Sequence, residues 1–185
     1  RRHFLKAASL SLPALYLRAS LGHSIGKASL VGIGQLKHGG NWDPRPESMR
    51  RLLWEIRKRT SIEVRRDANA VDLESSDIFS HPFLVLSGEG HMPEWSEKAR
   101  QNITRHLRFG GFLYIDAPSP EDPFTQCVKR EIENLRKALT GTQDLEQPSF
   151  QRIPKEHVLF KSFFLLKHVV GRQTFDAGVY GLELD

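Results

Sequence analysis

Between Pro46 and Thr60 the apolar residues Met49, Leu52, Leu53 and Ile56 recur at helical spacing, which predicts an amphipathic helix with one buried stripe. Arg50, Arg51, Arg57 and Lys58 lie mostly off that stripe and read as a solvated face. Upstream, Ala28 to Gln35 predicts a first strand, ending just before LKHGGNWDPRP, residues Leu36 to Pro46. Downstream, Ile62-Glu63-Val64 starts a short second strand, followed by a polar connection through Leu73. Pro82 to Ser87 is an unbroken apolar run that suits a buried parallel strand, and Gly88-Glu89-Gly90-His91 ends it. Pro93 then opens a helix at a position that needs no N–H, with Trp95, Ala99, Ile103 and Leu107 as its stripe and Gly110 as its C-cap. Gly111 to Ile115 predicts another buried strand, closed by Asp116-Ala117-Pro118. Asp122-Pro123 supplies the N-cap and first turn of a helix that buries Phe124, Val128, Ile132, Leu135 and Leu139. Gly141 to Pro148 reads as a loop, and Val158 to Leu166 with Val169-Val170 as a patchier apolar zone.

Strand–helix alternation with apolar strands predicts an α/β fold: a flavodoxin-like, doubly wound, mostly parallel sheet with helices on both faces. In such sheets ligands bind at the carboxyl edge, where winding reverses between the first and third strands. That edge would gather His38 to Arg45, Gly88 to His91 and Asp116 to Pro118. Gly39-Gly40 and Gly88-x-Gly90 would line opposite walls of a crevice, because glycine admits close backbone approach and positive φ. The ligand-binding candidates are therefore His38, Gly39, Gly40, Trp42, Arg45, Gly88, Glu89 and Gly90. Plainer roles stand beside these: glycines as turn formers, Trp42 capping the core near Pro44 and Pro46, Arg45 paired with Asp43 or Glu47, and Glu89 or Asp116 accepting backbone N–H groups.

Length and composition agree with one domain: 185 residues, 39% hydrophobic and 26% charged. Charge changes the picture more. The net charge is +5, but residues 1–22 hold Arg1, Arg2, Lys6 and Arg18 and no acid, which leaves about +1 for the rest. A basic face and a nucleic-acid partner are accordingly not expected. The lone cysteine, Cys127, excludes an intrachain disulfide and falls at an apolar helical position.

The opening RRHFLKAASLSLPALYL resembles a twin-arginine export signal, with paired cations followed by a short, weakly apolar run. Residues 1–27 are read as this leader and 28–185 as a single α/β domain. The run is short for a bilayer span, and Ala19-Ser20-Leu21 is a poor cleavage site. The expectation is a periplasmic protein, or one on the periplasmic membrane face, whose leader stays as an anchor or partner contact, touching the membrane through residues 4–21.

LKHGGNWDPRP, RRLLWEIRKRTSIEV, PFLVLSGEG and RHLRFGGFLYID together resemble the domain-of-unknown-function 4159 family. The motifs are His38-Gly39-Gly40 with Trp42 and Pro44, Lys58 to Ser61, and Gly110-Gly111-Phe112, over roughly residues 28 to 172. The resemblance implies a class I glutamine-amidotransferase-like, flavodoxin-like fold, and members that continue past the point where this chain stops, so that the chain either lacks a final strand and helix or is a pared-down member. It brings no established activity. Amidotransferases of that fold use a cysteine at a strand-to-helix elbow, whereas Cys127 falls within a helix, so amidotransferase chemistry is not expected. Two functions follow, beside a third in which the domain is structural and another chain fills the edge crevice. The first is an exported, non-catalytic ligand-binding or interaction domain, an accessory subunit of an envelope complex with a protein partner and an unidentified small-molecule ligand. The second is a hydrolase or sugar-modifying enzyme using Glu89 or Asp116 as acid–base and His38 as partner. His38, Glu89, His91 and Asp116 match no established metal-site spacing, so neither metal nor cofactor is expected.

Overall fold

A computed structural model describes residues 30–140, 151–162, 165–167 and 178–182. The chain divides into two units, residues 1–30 and 31–185. The leader and the loop expected at Gly141 to Pro148 lie outside the described residues, as do Val169 and Val170.

The second unit builds β1 (Ile33–Lys37), α1 (Pro46–Arg59), β2 (Asn69–Asp72), β3 (Phe83–Ser87), α2 (Glu97–Arg108), β4 (Phe112–Asp116) and α3 (Pro123–Thr140). A further small antiparallel pair joins β5 (Gln151–Arg152) to β6 (Tyr180–Gly181). The main sheet has the order β2-β1-β3-β4, and every neighbouring pair in it is parallel. This is the doubly wound, flavodoxin-like arrangement, with winding reversed between β1 and β3.

The period of two along each strand divides the core into two layers. Leu36, Leu84 and Leu86 join Ala99 and Ile103 of α2 and Phe124, Val128, Ile132 and Leu135 of α3 in one cluster. Ile33 and Val85 point the opposite way and join Met49 and Leu53 of α1. Cys127 is buried in the larger cluster. Gly110 ends α2 with φ +85°, and Asp122 caps α3 by accepting the Phe124 N–H at 2.8 Å.

Several features differ from the periodicity, the first being β1, which runs Ile33–Lys37 and so reaches two residues past Gln35 into the bend motif. The second strand is Asn69–Asp72 rather than Ile62–Val64; Val64 is buried but makes only an isolated bridge to Val31. The second helix starts at Glu97, not Pro93, because the Ser96 hydroxyl accepts the Ala99 N–H and caps it there. Trp95 is buried just outside the helix, with its backbone N–H donated to the Glu131 carboxylate at 3.1 Å. β4 is not a buried strand: it lies at the end of the strand order, and Phe112 and Tyr114 are exposed. Within the apolar zone from Val158, the described residues Val158–Phe160 form a 3-10 turn in which Phe160 is buried.

α2 and α3 are tied by an ion pair inside the larger layer. Glu131 is fully buried and takes two bonds from Arg100, at 2.9 and 3.2 Å, besides the Trp95 N–H. Among the described residues no helix is long and apolar enough to cross a membrane.

Candidate functional site

The chain leaves β1 at Lys37 and enters a bend built on backbone-to-backbone contact. Gly39 adopts φ +81°, a conformation costly for any residue with a Cβ. Asn41 forms an antiparallel bridge with Glu89, whose N–H reaches the Asn41 carbonyl at 3.3 Å. The bend after β1 is therefore hydrogen-bonded directly to the bend after β3. Two further bonds join them: the Ser87 hydroxyl donates to the Trp42 carbonyl at 3.0 Å, and the His38 ring reaches the Ser87 carbonyl at 3.0 Å.

His38 is buried, and its ring stands 5.3 Å from that of Phe124. Its Nε2 faces the Ser87 carbonyl, which can only accept; its Nδ1 faces the Gly40 N–H at 3.3 Å, which can only donate. The network therefore assigns the neutral tautomer with the proton on Nε2. Burial lowers the pKa of His38, an effect partly opposed by the bond to the Ser87 carbonyl. Both ring nitrogens are occupied by the backbone of the two bends.

The glycines have distinct reasons. A Cβ on Gly88 would sit 2.3 Å from the Phe124 ring and 2.8 Å from His38 Nε2. A Cβ on Gly40 would sit 2.5 Å from the His91 carbonyl oxygen. These two let protein approach protein. Gly90 has open space around it but a φ of +74°, and its N–H donates to Asp122 at 3.0 Å. Asp122 thus caps α3 and holds the second bend with the same carboxylate oxygen.

The third loop joins through Arg45, whose Nη2 lies 3.2 Å from Asp116 Oδ2 at the end of β4. The pairing of Arg45 is with Asp116 rather than with Asp43 or Glu47; Asp43 instead accepts from Gln35 at 3.1 Å. Beside the pair, partial desolvation of the Tyr114 hydroxyl, in a residue still 46% exposed, and then the negative charge of Asp116 raise its pKa. Trp42 is half-buried, and Glu89 and His91 are exposed. Among the described residues no three His, Cys, Asp or Glu side chains lie close enough to hold a metal ion, so His38, Glu89, His91 and Asp116 are not gathered as a ligand set.

Sequence reasoning passed over Gln35, Ser87 and Asp122 as members of this rim. Gln35 and Ser87 are buried polar residues at the carboxyl ends of apolar runs. A polar side chain in that position needs a buried partner, which was the available signal. A groove of about 580 Å³ lies elsewhere, on α2 and α3, lined by Glu97, Arg100, Thr104, Arg105, Arg108 and Lys137 among others. It shares no residue with the rim.

The model of the family described as domain of unknown function (DUF4159) matches residues 32–181, most of the chain and all of the rim. No curated protein matches the chain.

Proposed function

We propose that this chain, which belongs to the domain of unknown function DUF4159 family, works as an exported, non-catalytic binding domain, an accessory subunit of an envelope complex on the periplasmic side. What supports the non-catalytic part is the commitment of the acid–base candidates. Proton transfer needs a group with a free lone pair or proton at the reacting atom. His38 has both nitrogens in backbone bonds, and Asp116 is paired with Arg45. Glu89 stands exposed on its bend and belongs to no cluster of three His, Cys, Asp or Glu side chains among the described residues. The carrying observation is the pair of hydrogen bonds that ties the two ring nitrogens of His38 to the backbone of the two bends.

What the rim offers instead is a fixed surface. Trp42, the Arg45–Asp116 pair and Glu89 stand on loops tied to one another, so they meet a ligand or partner without reordering. Export rests on the resemblance of RRHFLKA to a twin-arginine signal, and the retained leader supplies membrane contact through residues 4–21.

Two measurements test the proposal. In permeabilised cells, protease should reach the wild-type protein but not an Arg1→Lys, Arg2→Lys variant. Equal accessibility of both would remove the export. Arg45→Ala should fold normally, since a pair this exposed contributes only about 0–1 kcal/mol, yet should weaken co-purification with the complex. Unchanged co-purification would remove the rim as the contact.

A further inference from the structure

α1 presents an exposed tryptophan, Trp54, encircled by cations. On a helix the neighbours of residue i are i−4, i−3, i+3 and i+4. For Trp54 all four are basic: Arg50, Arg51, Arg57 and Lys58. Two of them lie over the ring, with the Arg51 guanidinium 5.2 Å and the Lys58 ammonium 4.5 Å from its centroid. Trp54 itself is 48% exposed and the four cations are exposed around it.

Positive charge is concentrated on this element and the turn that follows it. Residues 47–67 hold seven cations and four acids, a net of +3. Residues 1–22 hold another +4, so the remaining residues carry −2 of the total of +5. The near-neutral body expected from the sequence therefore conceals a locally basic helix face. Local acids neutralise only part of it: Glu55 pairs with Arg51 and Arg59, and Glu47 and Asp67 with Arg50. Among the described residues Arg57, Lys58, Arg65 and Arg66 have no acidic partner.

We infer that the outer face of α1 docks on an anionic phospholipid surface, with Trp54 at headgroup depth and its ring of cations on lipid phosphates. Charge complementarity selects an anionic partner. An indole with one apolar body and one polar N–H suits the water–lipid boundary, and clustered cations on the solvent face of the helix suit acidic headgroups. Single-stranded nucleic acid is less well matched, because it is held in grooves with successive aromatic platforms, and this helix face offers one ring on a convex surface. The inference stands apart from the reading of the rim, since no rim residue takes part.

The test is co-sedimentation of the full chain with phosphatidylcholine vesicles containing phosphatidylglycerol, and with phosphatidylcholine vesicles alone. The chain should partition onto the anionic vesicles, with a salt-sensitive affinity and a blue shift of tryptophan emission. Neutralising Arg57 and Lys58 (Arg57→Gln, Lys58→Gln) should weaken partitioning by roughly fivefold for each cation. Trp54→Ala should abolish the blue shift while leaving the far-ultraviolet circular dichroism unchanged. Arg105→Gln with Arg108→Gln, on the α2–α3 groove, should leave partitioning as it was. Equal loss from the groove variant would overturn the inference. So would retained binding in the α1 variants with loss only when Arg1 and Arg2 are neutralised. Tighter binding to a single-stranded RNA oligonucleotide than to the anionic vesicles, lost in the α1 variants, would overturn it as well.

Discussion

Gly88 and Gly90 sit two positions apart and are required for opposite reasons, which makes them a test of the packing at single-residue scale. Gly88 has no unusual φ but lies against Phe124 and His38. An added methyl must displace a buried ring, so Gly88→Ala should cost about 1–3 kcal/mol. Gly90 meets no atom, and Gly90→Ala should cost only the positive φ, about 1 kcal/mol. Urea unfolding of the two variants measures the difference; a larger loss at Gly90 would contradict the assignment. The sequence located both glycines at the correct edge. It did not reveal that protein rather than ligand fills the space beside Gly88, because Phe124 lies 36 positions away and its direction is fixed only by the fold.

Among elements, the helices and the first, third and fourth strands are legible because each carries a run of apolar residues with one clear period. β2 is not legible. NAVD buries one side chain, Val71, and exposes two of its four residues, leaving too little alternation to find. Ile62-Glu63-Val64 looks more strand-like, yet Ile62 is exposed and only Val64 bridges to Val31. The start of α2 moved for a similar reason. Trp95 fits the helical stripe, but its backbone N–H is held by Glu131, and Ser96 then caps the helix. That carboxylate also joins α2 to α3. A polar residue on a helix is ordinarily assigned outward, so its inward direction leaves no mark in the pattern. Glu131→Ala should cost about 1–3 kcal/mol, because it leaves the buried backbone N–H of Trp95 without its acceptor and removes the partner of Arg100, whose side chain is itself 26% exposed. Denaturant unfolding checks this, and a loss below about 1 kcal/mol would show that the pair is not buried as described.

At the scale of the whole molecule, acid should destabilise the fold before its carboxylates titrate. His38 and His106 both have pKa values lowered by burial, and His106 Nε2 has no hydrogen-bond partner. The unfolded chain binds protons at these sites near pH ~6.5 while the folded chain resists them. Stability from the neutral rings is thus complete above that pH and lost as pH falls through the lowered folded values. The urea midpoint should stay level from pH ~8 to ~7 and decline from pH ~6.5 downward. Glu55, whose pKa is lowered by Arg59 and then Arg51, adds a loss only in the carboxylate range below this. A flat profile to pH ~5 would contradict the burial of the two rings. The same physics underlies the functional reading, in which the rim is joined through a neutral imidazole whose two nitrogens are held by backbone groups. Nitrogen-15 spectra of His38 test that most directly. The account predicts a proton on Nε2, an acceptor pattern at Nδ1 and no protonation at neutral pH. A ring that titrates near pH ~6.5 with exchanging tautomers would contradict it.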